Sequence, residues 1–166
     1  NDFALAGGME APITPYSLLC ANSSGNLSKN NLNYKKAYRP YDLNRDGFVL
    51  GEGAGITVLE KESSAKKRGS DIYGFIKGMG FTSDGYHYAR FSPKPDSLEQ
   101  AIKGCLKDAG WDKGEVDYIC LDGEATVMGD YLETLALKNV LGKDLDKIAL
   151  SAPKSMFGNL LGAQTA

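Results

Sequence analysis

The chain has 166 residues, 42% hydrophobic and 24% charged, the balance of an ordinary soluble protein with enough length for one domain and a real core. A net charge of −2 gives no electrostatic case for nucleic acid or an anionic membrane as partner. No apolar run approaches the roughly 20 residues that span a bilayer, and the first residues carry no signal-peptide pattern. Cys20, Cys105 and Cys120 have no metal-type spacing and are expected to be buried, unreactive thiols in a reducing cytoplasm.

In chain order, residues 2–6 form a short apolar run closed by Gly7-Gly8, which predicts a buried strand. Thr14-Pro15 has the form of an N-cap with Pro at the first helical position, so a short helix through Leu18 and Cys20 should follow. Residues 22–38 are polar and predict a surface loop. The next stretch, Arg39-Pro40-Tyr41-Asp42-Leu43-Asn44-Arg45-Asp46-Gly47-Phe48-Val49-Leu50-Gly51-Glu52-Gly53-Ala54-Gly55, holds four glycines among apolar residues, as backbone packed closely on other backbone or on a ligand requires.

A strand is predicted over residues 56–60 and a short helix over 63–68, ended by Gly69. Residues 71–82 read as a long strand with a bend or bulge at Gly74, Gly78 and Gly80. Asp96 and Glu99 have capping-box spacing before a helix to Ala109, with Leu98, Ile102, Cys105, Leu106 and Ala109 on one face. Residues 116–121 predict a central buried strand, 131–140 a helix with Leu132, Leu135, Ala136 and Val140 inward, and 148–151 another buried strand. This alternation implies an α/β fold with a mainly parallel sheet covered by helices on both faces. Both ends read as cut: residues 2–8 resemble the end of a strand entering a turn, and 158–166 stop within an apparent helix. A piece of a longer chain is therefore expected, and on its own it should lack a closed core.

Three motifs invite ligands. Asp42 to Gly47 begins like a calcium loop, but the bidentate Glu needed at position twelve is absent: Gly53 stands there, and a strand follows where a helix is needed. A turn built by Asp and Asn side chains is the better reading. Gly51-Glu52-Gly53-Ala54-Gly55 lacks the dinucleotide spacing and also leads into a strand. His87 is the only histidine, so no metal site or catalytic constellation of two histidines can be built. No cofactor and no metal are expected.

Taken together, these segments resemble a β-ketoacyl synthase of the thiolase fold. The carriers are Ala6-Gly7-Gly8-Met9-Glu10-Ala11-Pro12-Ile13-Thr14-Pro15, the long stretch from Arg39 to Gly55 (family pattern Arg-Pro-Phe-Asp…Arg-Asp-Gly-Phe-Val…Gly-Glu-Gly-Ala-Gly), Ser83-Asp84-Gly85-Tyr86-His87, and Lys154-Ser155…Gly158…Gly162-Ala163. The resemblance covers almost the whole chain and implies a middle and C-terminal piece of the thiolase-like fold. Residues 1–38 would be the end of the N-terminal half plus a surface loop, and 39–166 most of the C-terminal half. The nucleophilic cysteine of the family would lie upstream.

The departures from the family carry the functional reading. A condensing member uses a Cys thiolate and two histidines, the first opening a His-Gly-Thr-x-Thr motif and the second following Lys-Ser-x-x-Gly. Here Asp122-Gly123-Glu124-Ala125-Thr126 and Asn159 stand at those places, so no catalytic set is intact. An Asp anion cannot donate to a developing oxyanion, and losing one such donor typically costs about 100- to 1000-fold in rate. Lys154, Asp130 and Glu133 match retained family residues and are expected to form a charged network that holds the fold. The resemblance is strongest to a chain-length factor. Such a subunit pairs with an active ketosynthase in a cytoplasmic heterodimer and shapes the acyl tunnel while acyl carrier protein presents acyl or malonyl thioesters. Its other partner would be the N-terminal part of its own fold. The alternatives are a non-elongating ketosynthase domain of a modular synthase, which binds or transfers acyl chains, and an active synthase-like acyltransferase in which Asp122 serves divergent chemistry.

Overall fold

The computed structural model describes residues 3–87 and 90–164. Asp2 of the first expected strand, Tyr88 of the histidine loop, and Thr165 and Ala166 of the terminal segment lie outside them. Strand β1 (Phe3–Glu10) pairs antiparallel with β2 (Gly53–Glu60), with Gly7 opposite Ile56 and Gly8 opposite Gly55. β1 therefore runs through the two glycines rather than stopping at them. Its Gly8 is required by packing: a Cβ there would lie 2.2 Å from the carbonyl oxygen of Gly162 in the turn Leu161–Ala163. Helix α1 (Pro15–Ser23) begins as expected, with Thr14 Oγ1 accepting from the Ser17 N–H. A short α2 (Glu62–Lys67) ends in Gly69 at φ +69°.

Among the described residues, 71–82 form no paired strand. A ladder needs a neighbour to take its N–H and C=O groups, and this segment instead lies along helix α3 (Asp96–Ala109). Met79 N–H donates to Asp108 at 3.0 Å and the Thr82 hydroxyl to the Ser97 carbonyl at 2.8 Å. Gly78 and Gly80 are the contact surface rather than a bulge: a Cβ at Gly80 would meet the Ala101 carbonyl oxygen at 2.0 Å, whereas one at Gly74 would meet nothing within 4 Å. The expected capping box of α3 is also absent. Pro95 is the N-cap, and the Glu99 carboxylate turns outward to Lys103 (3.0 Å) and across to Asn139 of the next helix (2.7 Å). A capping box does form at Asp112 and Glu115, before β3.

Strand β3 (Tyr118–Cys120) pairs in parallel with β4 (Ala149–Ser151), joined through α4 (Val127–Leu141), and α5 (Lys154–Phe157) follows. The α/β alternation is thus present, with its parallel pairing between β3 and β4. The core cluster is Leu121, Leu137, Leu141 and Ile148, with Ile102, Leu106 and Val140 packed against it. Helix α4 contributes Leu137 and Leu141, and it starts four residues before the expected position because Thr126 caps it. Neither strand is centrally buried: with a single neighbour each, β3 and β4 leave Tyr118 57% and Leu150 45% exposed. Cys120 of β3 is exposed for the same reason, Cys20 of α1 is exposed as well and Cys105 of α3 is only half-buried, against the expectation of buried thiols. The β1–β2 ribbon is more open still, with Phe3, Leu5 and Ile56 each at 64–67% exposure.

With so much apolar area on its faces, the 166-residue chain by itself should bind a hydrophobic dye such as ANS and melt without a sharp transition. A cooperative calorimetric transition of the isolated monomer would contradict this.

Candidate functional site

Helix α4 presents the site. Its first turns carry Asp130 and Glu133, three residues apart and so on one side of the helix. Asp130 is 1% exposed and is satisfied on both oxygens. Its Oδ1 accepts the Ala125 N–H at 3.0 Å, and its Oδ2 accepts the Tyr41 N–H at 2.7 Å and pairs with Arg45 Nε at 3.2 Å. Arg45 also donates to the carbonyls of Thr126 and Val127, at 3.1 and 2.8 Å, and so grips the first turn of α4. Glu133 accepts from the backbone N–H groups of Asp122 (2.8 Å) and Gly123 (3.1 Å) and from the Tyr41 hydroxyl (2.5 Å). Two carboxylates thereby clamp both the loop after β3 and the loop from Arg39 to Leu50.

The geometry is held under backbone strain. Among the described residues the non-glycine positions with positive φ are Tyr41 (62°), Ala125 (59°) and Leu161 (47°). Each donates its N–H to a site side chain, Tyr41 and Ala125 to Asp130 and Leu161 to Asn159 Oδ1 at 3.0 Å. Left-handed backbone at such residues costs of the order of 1–3 kcal/mol each and persists where the surroundings determine it.

Asp122 and Lys154 form an ion pair, from Nζ to Oδ1. The lysine side chain is 5% exposed and the aspartate side chain 61%. Asn159 is also buried. Its N–H donates to Val49 O at 2.8 Å and its carbonyl accepts Gly51 N–H at 3.0 Å, so its backbone bridges to the stretch from Arg39 to Gly55. That bridge requires glycine at position 51, where a Cβ would sit 2.3 Å from the Phe157 carbonyl oxygen. The structure thus joins Asp122 to Lys154 and, through its backbone, to Glu133, while the Asn159 backbone bridges to Val49 and Gly51. Asp42 makes the anticipated side-chain turn, accepting Asn44 N–H at 2.7 Å.

An open pocket of about 260 Å³ lies between α3, α4 and the segment before α3. Phe91, Leu98 and Leu132 form its apolar side; Asp84, Lys94, Asp122 and Glu133 are its charged groups. Glu124 is half-buried beside it, and burial first, then the neighbouring Asp122 carboxylate, pushes its carboxyl above the usual range. Burial likewise raises Asp130 against the pull of its N–H donors and Arg45. The Tyr38 hydroxyl, buried with no hydrogen-bond partner, is driven far up by burial and by Asp122, Glu124 and Asp130. No group of metal-ligating residues occurs among the described residues.

The roles of Tyr41, Arg45 and Glu124 were not read from the sequence. The first two lie inside the stretch that carries the resemblance, but their partners are about 90 residues away, 89 for Tyr41 and Asp130. A visible signal was the Tyr at 41, where the family pattern has Phe: its hydroxyl supplies a donor to Glu133 that Phe lacks.

Comparison with known proteins agrees with this architecture. Residues 73–166 match the family described as beta-ketoacyl synthase, C-terminal domain, and residues 1–65 match beta-ketoacyl synthase, N-terminal domain. The chain belongs to the beta-ketoacyl synthase family. It is 41% identical over 162 residues to 3-oxoacyl-[acyl-carrier-protein] synthase 2 of Staphylococcus aureus, covering 98% of this chain and 40% of that protein. It is 42% identical over 165 residues to the protein of the same name from Coxiella burnetii, covering 99% and 40%. Among solved structures, one of a type II polyketide synthase acyl-carrier protein in complex with its ketosynthase, bound to the hexaketide, superposes with a TM-score of 0.95 at 37% identity, over 99% of this chain and 41% of that one. The ishigamide ketosynthase/chain length factor gives 0.86 at 34% identity, over 99% and 38%. The chain therefore spans about two-fifths of the length of the relatives it matches. Its fold is the thiolase-like ketosynthase fold.

Removing the Asp130 carboxylate should be severe, because Arg45 and two N–H groups lose their acceptor. In the whole protein, with the rest of its fold present, Asp130→Ala is expected to cost about 3–5 kcal/mol in denaturant titration, the range for breaking a buried pair. Glu124 predicts a pH effect. Its folded-state pKa is raised above the ordinary 4.5, so the stability it contributes is complete below that pH and lost as pH rises through the folded value. Glu124→Gln should therefore gain stability over the parent as pH rises from about 4.5 towards neutrality. A pH-independent difference in melting temperature would count against this.

Proposed function

We propose that this chain is part of a chain-length-factor-like subunit that does not condense. It pairs with an active ketosynthase and shapes the tunnel for the acyl chain growing on acyl carrier protein. The observation that carries this reading is the Asp122–Lys154 pair: where the family pattern has its first histidine, this chain has a carboxylate already engaged with the site's lysine. At the second histidine's place stands Asn159, whose side-chain oxygen is taken by Leu161 N–H. A carboxylate offers no hydrogen to a developing oxyanion and repels it. The resemblance to a ketosynthase/chain length factor structure and to a ketosynthase held by its acyl-carrier protein supports both partners. In the same reading, Asp130 and Glu133 serve to hold the loops of the site, and the exposed β1–β2 ribbon is covered by the rest of the fold. No helix among the described residues is long and apolar enough to cross a membrane.

A condensing enzyme is the second reading, favoured by the names of the relatives at 41–42% identity. Release of carbon dioxide from malonyl-carrier protein separates the two. The subunit alone should give none above background, and adding a partner ketosynthase should give turnover whose product length responds to this subunit. Carbon dioxide release by the subunit alone, lost in Asp122→Asn, would establish the second reading.

A further inference from the structure

We propose that Lys154 is an anion site which Asp122 fills from within the chain, and that a small carboxylate occupies it when the Asp122 side chain is removed. Lys154 is 4% exposed, and Asp122 is its ion-pair partner. A buried ammonium without a counter-charge is strongly disfavoured, so the position demands an anion. The aspartate that meets the demand is not itself buried: its side chain is 61% exposed and lines the pocket of about 260 Å³. A carboxylate from solvent therefore has a route to the same place.

The backbone under Asp122 does not depend on the ion pair. Glu133 holds the N–H groups of Asp122 and Gly123, and the Tyr41 hydroxyl and Gly123 N–H share its Oε2. Truncating Asp122 at Cβ thus vacates a ligand position while its frame remains. Glu124, which already feels the Lys154 charge, is the internal competitor for that vacancy. In the intact chain, a ligand entering the pocket meets the carboxylates of Asp84, Asp122 and Glu133 and the ammonium of Lys94. This inference stands whether or not the subunit condenses.

The test is formate against chloride at equal ionic strength, on the whole protein with any subunit that accompanies it. Asp122→Ala and Asp122→Ala/Glu124→Gln should melt several degrees below the parent and recover in formate along a saturating curve, while the parent does not move. Acetylation of Lys154 by acetic anhydride, read by mass spectrometry, should rise several-fold in the variants and fall again with formate. Asp122→Ser, which also leaves the ligand position open, gives the same labelling readout if truncation to Ala prevents folding. Equal formate shifts in parent and variants, or Lys154 labelling that formate leaves unchanged, would overturn the proposal.

Discussion

The grip of one loop on the first turns of one helix organises this chain. Tyr41 and Arg45, near the start of the glycine-rich stretch, meet Asp130 and Glu133 near the start of α4. The same two carboxylates accept the Asp122, Gly123 and Ala125 N–H groups of the loop after β3. Burial of carboxylates is favourable only when donors surround them. Here each of the two accepts backbone N–H groups, and Asp130 adds a guanidinium while Glu133 adds a phenol. The result is a rigid floor under Asp122, whose charge goes to Lys154.

The second half of the stretch does a different job with the same economy of side chains. Its glycines let backbones approach where a Cβ would collide, at Gly51 with Phe157 and at Gly47 with Asn26. Leu50 then bridges to Asn159 in parallel fashion. A single segment thus holds α4 with side chains and the region after α5 with backbone. The two positions that depart most from the family pattern, Asp122 and Asn159, are both supported from it, one through Tyr41 and Glu133 and the other directly. A stretch that marks the family is also the support of its site.

Much of this was legible in residue order. Thr14-Pro15 started α1, Gly69 and Gly110 ended helices in left-handed conformation, and the α/β alternation followed from the apolar runs. What failed did so for tertiary reasons. Residues 71–82 have the composition of a strand, yet a strand exists only with a neighbour, and this segment packs on α3 instead. Asp96 and Glu99 have capping-box spacing, but Asn139 and Lys103 take the Glu99 carboxylate. Cys120 sits in an apolar run and is exposed because no layer covers its side of β3.

The sequence by itself determined the family, the fold class and the loss of imidazoles, because those depend on residue type and local order alone. Only the tertiary structure decided that Asp122 is spent on Lys154, that Tyr41 and Arg45 belong to the site, and that Asn159 is buried in a backbone bridge to Val49 and Gly51. Ion pairs and hydrogen bonds fall off within a few ångströms, and the partners named here are 32 or more residues apart in the chain. Sequence order does not encode such distances; the packed backbone does.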